Sequence, residues 1–126
     1  MVASHALNSY AAVQVGAGVE GASSHQLIAM LFDGVYERLA QAKGAIQQND
    51  LSLKAKKVSE SMKIIMGLRD FLDFEQGGEL ATNLDALYEY VQRTLMQGHI
   101  HNDPTKFDEC RTLLGQVSGA WEEISQ

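Results

Sequence analysis

An all-α fold, an antiparallel four-helix bundle with a short N-terminal arm or helix, is predicted by three features of the sequence. Apolar residues recur every three or four positions through four long stretches, cap residues stand at the breaks between them, and no stretch alternates with the two-residue period of a strand. Of the 126 residues 45% are apolar and 21% charged, with a single proline. That composition fits one folded domain, which at this length buries roughly two-thirds of the surface its unfolded chain exposes.

Residues 1–22 contain Gly16, Gly18 and Gly21 among small side chains. They read as a flexible arm or cap, separate from a bundle domain over residues 23–126. Ser23 is an N-cap candidate, and Gln26 can complete a capping box. The first helix then runs through Ile28, Leu31, Val35, Leu39, Ala42 and Ile46. Asn49 and Asp50 supply a stop and a restart. The second helix is expected to bury Leu51, Ala55, Val58, Met62, Ile65, Met66 and Leu72, with its lysines on the opposite face, and to end at Gly77-Gly78. A third, from about Glu79 to Gln97, turns Leu80, Leu84, Leu87, Tyr88, Val91 and Leu95 inward and Asp85 and Glu89 outward. Asp103 followed by Pro104 restarts the chain, because proline at the first helical position lacks only an amide that would be unpaired there. The fourth helix buries Phe107, Cys110, Leu113, Leu114, Val117, Trp121 and Ile124.

Charge and motif content exclude several functions. The net charge of −6 disfavours nucleic acid, whose affinity comes from lysine and arginine neutralising phosphates. Five of the ten basic residues fall between Lys54 and Arg69, where they read as a solvated helix face. The lone Cys110 has no internal disulfide partner and reads as an inert core thiol. No run approaches the roughly 18 apolar residues of a membrane span, and the N-terminus shows no signal-peptide pattern, so a cytoplasmic protein without membrane insertion is expected. No Glu-x-x-His pair offers a bundle metal site. His99 and His101 read as a solvated helix end, and His25 as a structural residue of the first helical turn. Asp70, Asp73, Glu75 and Glu79 read as a hydrated turn. No catalytic residues, metal or cofactor are expected. What remains is surplus apolar surface: Leu27, Met30, Phe32 and Tyr36 beside the main stripe of the first helix, and Tyr90 nearly opposite Tyr88 on the third. This is either a broad core face or an apolar strip open to a partner segment.

Gln26-Leu27-Ile28-Ala29-Met30-Leu31-Phe32-Asp33-Gly34 and Asn83-Leu84-Asp85-Ala86-Leu87-Tyr88-Glu89-Tyr90 closely resemble two runs of the FliS family of flagellar export chaperones. Tyr10 to Val15, Asn102-Asp103-Pro104 and Ala120-Trp121 extend the resemblance along nearly the whole chain, in order. The resemblance implies a helical, non-enzymatic cytoplasmic chaperone. Its expected client is the disordered C-terminal segment of flagellin, which it would keep from polymerising and deliver to the flagellar type III export apparatus. It implies flagellin-groove candidates at Leu27, Met30, Leu31, Asn83, Leu84, Leu87, Tyr88 and Tyr90. Leu7 and Tyr10 match positions that resemble an export-gate docking patch and a cap over the empty groove. Two departures stand out. Ser24 replaces the family's usual proline, and Gly98-His99-Ile100-His101 replaces a run of alanine, asparagine, leucine and arginine, which removes a basic residue from a candidate contact loop.

Two other readings compete. One is a structural or adaptor bundle, alone or as a homodimer, whose extra apolar residues form a self-interface. The other is a phosphotransfer or metal-binding bundle using His25 or the pair His99 and His101.

Overall fold

The computed structural model describes residues 24–123. Four helices follow one another: α1 (Ser24–Gln47), α2 (Leu51–Asp70), α3 (Phe74–His101) and α4 (Pro104–Glu123). Each packs on two neighbours, in the closed order α1, α2, α3, α4, with no diagonal contact. Cross-links show every neighbouring pair to be antiparallel. Arg38 Nε meets Glu60 between α1 and α2, Arg69 meets Asp85 between α2 and α3, Tyr90 Oη donates to Glu109 between α3 and α4, and Lys43 Nζ meets Asp108 between α4 and α1. No strand occurs among the described residues. The expectations for Leu7, Tyr10, Ser23 and Ile124, and the boundary between arm and bundle, lie outside the described residues.

The two short breaks are built as local chemistry requires. Asn49 takes a positive φ of 58°, and Asp50 accepts the amide of Leu53 as N-cap of α2. Asn102, at φ 50°, ends α3 in the left-handed conformation and returns its amide to the Gly98 carbonyl. Asp103 then accepts the Thr105 amide and hydroxyl at the start of α4. Between these last two helices the chain passes very close to itself. A Cβ on Gly98 would lie 2.8 Å from Phe107 Cε1, 2.9 Å from Lys106 Cβ and 3.1 Å from the Asp103 carbonyl oxygen.

The core runs along the bundle axis through Leu31, Val35, Leu39 and Ala42 of α1, Val58, Ile64, Ile65 and Leu68 of α2, Tyr88, Val91 and Leu95 of α3, and Phe107, Cys110 and Leu114 of α4. On α2 the expected face is corrected. Leu51 and Met66 are about half exposed, whereas Lys54 and Ser61 are buried. Lys54 is tolerated inside because its ammonium donates to the His99 carbonyl at 2.8 Å and to Asn102 Oδ1, at the negative end of the α3 dipole. Ser61 returns its hydroxyl to the Lys57 carbonyl one turn back. Two further expectations are corrected. α2 ends at Asp70, not at the glycine pair. Asp85 is not a free outward charge either: its carboxylate holds Arg69 through two bonds of 2.6 and 3.1 Å, while Arg69 Nη1 reaches Gln92. This bidentate pairing holds the guanidinium above its ordinary pKa.

Cys110 is fully buried, and its Sγ–H points at the Val91 carbonyl at 3.5 Å. Burial pushes its thiol up to about 12. A thiol reagent at pH 8 is therefore expected to label the native protein only at the rate of global opening and the urea-unfolded protein within seconds to minutes. Fast native labelling would place the thiol outside the core.

His99 titrates below its ordinary value of 6.5, through burial and then the nearby Lys54 charge. The folded state thus binds this proton less readily than the unfolded state. Stability is unaffected above pH 6.5 and falls as pH drops below it, until the folded pKa is passed. A thermal-unfolding series from pH 7.5 to 5 should show that decline, and His99→Asn should flatten it. An identical slope in the variant would assign the decline to another group.

Candidate functional site

At one end of the bundle α1 starts, α2 stops, α3 starts and α4 stops, and among the described residues the four apolar stripes converge there without closing. The result is a cleft of about 230 Å³. Ile28 and Phe32 of α1 form one wall; Leu68, with Phe71 and Leu72 just beyond α2, forms a second. Leu80, Leu84 and Tyr88 descend along α3, and Val117 and Trp121 come from α4. Asp73 is the one charged lining residue among the described residues, and its carboxylate is occupied in capping the Glu75 and Gln76 amides.

The early end of α2 is what leaves the cleft open. Phe71 and Leu72 leave the helix and pack partly against the core, and Asp73 starts a single helical turn. At Gly78 the chain takes φ 51° and ψ −125°, a conformation outside the helix that residues with a Cβ rarely adopt, and α3 proper continues from there. Phe74, within the detour, is 51% exposed, and Leu80, which lines the cleft, is 67% exposed. Large apolar groups held open to water beside an apolar recess mark a binding surface more readily than a solvated helix face.

Trp121 is fixed by an unusual clasp. His25 stacks on its indole, with ring centroids 4.7 Å apart and planes inclined by 14°. His25 Nε2 lies 2.9 Å from the Trp121 carbonyl, so that nitrogen carries the proton and donates. Trp121 Nε1–H in turn donates to the His25 carbonyl at 3.1 Å. The two chain ends of the bundle are thereby tied together beside the cleft. His25 does not line the cleft; it is a structural residue held to the lining residue Trp121 by this reciprocal pair. Within the cleft, burial holds the Tyr88 phenol well above its ordinary pKa, so it stays neutral.

The sequence candidates are distributed unevenly. Leu84 and Tyr88 line the cleft. Leu31 is fully buried in the core and Leu27 is 5% exposed, while Met30 and Leu87 pack partly against the core. Asn83 is exposed on α3. Tyr90 is exposed elsewhere, its hydroxyl donating to Glu109 at 2.8 Å and its ring 5.9 Å from the Arg93 guanidinium carbon. Ile28, Phe71, Leu72, Val117 and Trp121 were not singled out as site residues. A signal for most of them was present: in an antiparallel bundle the first apolar residues of α1 and α3 and the last of α2 and α4 must meet at one end.

His99 and His101 lie within the last turn of α3, so Gly98 to His101 is helix and not loop. Among the described residues, no group of three His, Cys, Asp or Glu side chains is placed to hold a metal ion. No helix there is long and apolar enough to cross a membrane.

Comparison with known proteins agrees with the two sequence runs. The family model described as "Flagellar protein FliS" matches residues 6–126. The Flagellar secretion chaperone FliSB of Pseudomonas aeruginosa is 42% identical over 125 residues, covering 99% of each chain. The Flagellar secretion chaperone FliS of Salmonella typhimurium is 41% identical over 126 residues, covering 99% of this chain and 93% of its own. The protein of the same name from Vibrio cholerae is 35% identical over 118 residues, covering 94% and 87%. A match at this identity over nearly full length, on a four-helix bundle carrying both runs in place, establishes that the chain belongs to the FliS family of flagellar secretion chaperones.

Proposed function

We propose that this protein is a cytoplasmic flagellar export chaperone that binds the disordered C-terminal segment of flagellin, keeps it from polymerising and delivers it to the export apparatus. The observation that carries this reading is the open apolar cleft, in a chain whose relatives are named secretion chaperones. A disordered segment gains its order mainly by burying apolar side chains, against an ordering cost on the order of 2–5 kcal/mol. The cleft supplies such burial without any catalytic group, so holding and release follow mass action. The client leaves when the export gate or the growing filament offers it stronger contacts. Leu84 and Tyr88, with Ile28, Phe32, Leu72 and Trp121, form the proposed contact surface. Leu27 and Leu31 are buried and Met30 and Leu87 pack partly against the core, so their proposed role is to hold α1 and α3 in place. Leu7 and Tyr10 remain the proposed export-gate contacts.

Isothermal titration with a synthetic flagellin C-terminal segment at two temperatures tests this reading. Saturable one-to-one binding with a negative heat-capacity change is the expected result. No heat above dilution from folded protein at micromolar concentration would overturn it. Sedimentation across a concentration series would then show whether the exposed apolar side chains serve self-association instead.

A further inference from the structure

Away from the cleft, the seam between α1 and α4 carries a second recess of about 240 Å³, with Leu39, Ala40 and Phe107 as its floor. On its edge the Arg111 guanidinium sits over the Tyr36 ring, its central carbon 3.7 Å from the ring centroid. This shelf is built, not incidental. Tyr36 Oη bonds to Ser118 Oγ, which in turn donates to the Gly115 carbonyl, so the ring cannot swing. Gly115 makes the space, since a Cβ there would come within 2.8 Å of Arg111 Nη1. The one carboxylate lining the recess, Asp108, is held by Lys43 at 3.0 Å through both oxygens. Asp33 and Glu122 lie near Tyr36, yet among the described residues no carboxylate pairs with Arg111. Its side chain is exposed.

A guanidinium held by its face on an aromatic ring presents its N–H edge already oriented, and that edge fits a carboxylate through two parallel bonds. We propose that this shelf is a second docking subsite that takes an aspartate or glutamate side chain of the client segment, the apolar floor receiving its neighbours. Continuity with the cleft identifies the occupant. A small recess containing Phe32, Tyr36, Ser118 and Trp121, with Asp33 and Glu122 also lining it, shares Phe32 and Trp121 with the cleft and Tyr36 with the shelf, so the acidic side chain is needed at Arg111 and not along this passage. One extended client can thus run from the cleft along the α1/α4 seam to Arg111. This inference rests on the client-binding reading above and adds to it a charge requirement at a defined place.

The test titrates the wild-type protein, Arg111→Gln and Leu84→Asp with two synthetic flagellin C-terminal segments. One is native and the other has every Asp and Glu replaced by Asn and Gln, with the terminal carboxylate free in both. The wild type should prefer the native segment by about tenfold, the scale of one charge-assisted bidentate pair, and more at low salt. Arg111→Gln should erase that preference, and Leu84→Asp should weaken both segments alike while keeping it. Gly115→Ala, which displaces the guanidinium without removing its charge, should reduce the preference. Equal binding of both segments by the wild type, or a preference surviving in Arg111→Gln, overturns the subsite while leaving the cleft reading intact. Failure of the wild type to bind either segment overturns both.

Discussion

Gly98→Ala will destabilise the protein more than any other single-methyl addition to its described helices, by about 3 kcal/mol, the upper part of the range for overpacking. The added Cβ would press at 2.8 Å on a ring carbon of Phe107, which is 1% exposed. It would also meet Lys106 Cβ at 2.9 Å and the backbone oxygen of Asp103 at 3.1 Å, so neither side of the turn can give way alone. The higher helix propensity of alanine offsets about 1 kcal/mol of this at most. Urea unfolding followed by circular dichroism would show the midpoint fall, and the melting temperature should drop by roughly 10 °C. A change below about 0.5 kcal/mol would mean that α3 and α4 slide apart readily and that the close approach is not tight.

The same region shows why parts of the fold are legible in the sequence and others are not. The helix boundaries at Asn49-Asp50 and Asp103-Pro104 depend on side chains bonding to amides two or three residues away, so the local sequence contains the whole cause. The end of α2 does not work this way. No glycine, proline or cap marks Asp70, and the helix stops where Phe71 and Leu72 turn onto a core made by other helices. The glycine pair that reads as a stop instead provides the kink at the start of α3.

Burial on α2 departs from the sequence expectation for a related reason. Assigning the stripe by residue type gives Leu51, Ala55 and Met66 beside Val58 and Ile65, but the face that packs joins Val58 and Ile65 to Lys54, Ser61 and Leu68. A lysine reads as solvent-facing unless an acceptor waits inside. Here the acceptors are the carbonyl of His99 and the amide oxygen of Asn102, both more than forty residues away in sequence. The site follows the same division. The two family runs fall on α1 and α3, which both line the cleft, and periodicity singles out Tyr88 as inward. Which inward residues end up lining an unclosed space depends on the detour between α2 and α3, and no local spacing encodes that detour.

Leu84→Asp is expected to weaken binding of the flagellin C-terminal segment roughly a hundredfold, while lowering stability by only about 1 kcal/mol. Leu84 sits midway down the α3 wall between exposed Leu80 and buried Tyr88, and is itself half-buried. In the empty cleft a carboxylate there keeps access to water, so the fold bears little of its cost. Once an apolar segment fills the cleft, that carboxylate loses its hydration and finds no cation among the lining residues, which include Asp73 and no lysine or arginine. The penalty therefore falls on the complex. Tyr90→Ala is the matched control, because Tyr90 is not in the cleft and its hydroxyl contacts Glu109. It should leave affinity within about twofold, as expected for loss of an exposed hydrogen bond remote from the occupant. Both variants can be titrated calorimetrically beside the wild type. Equal losses in both would place the client across α3 and α4 instead of in the cleft. A large loss in Tyr90→Ala alone would assign the client to the α3/α4 face, with the cleft serving another purpose.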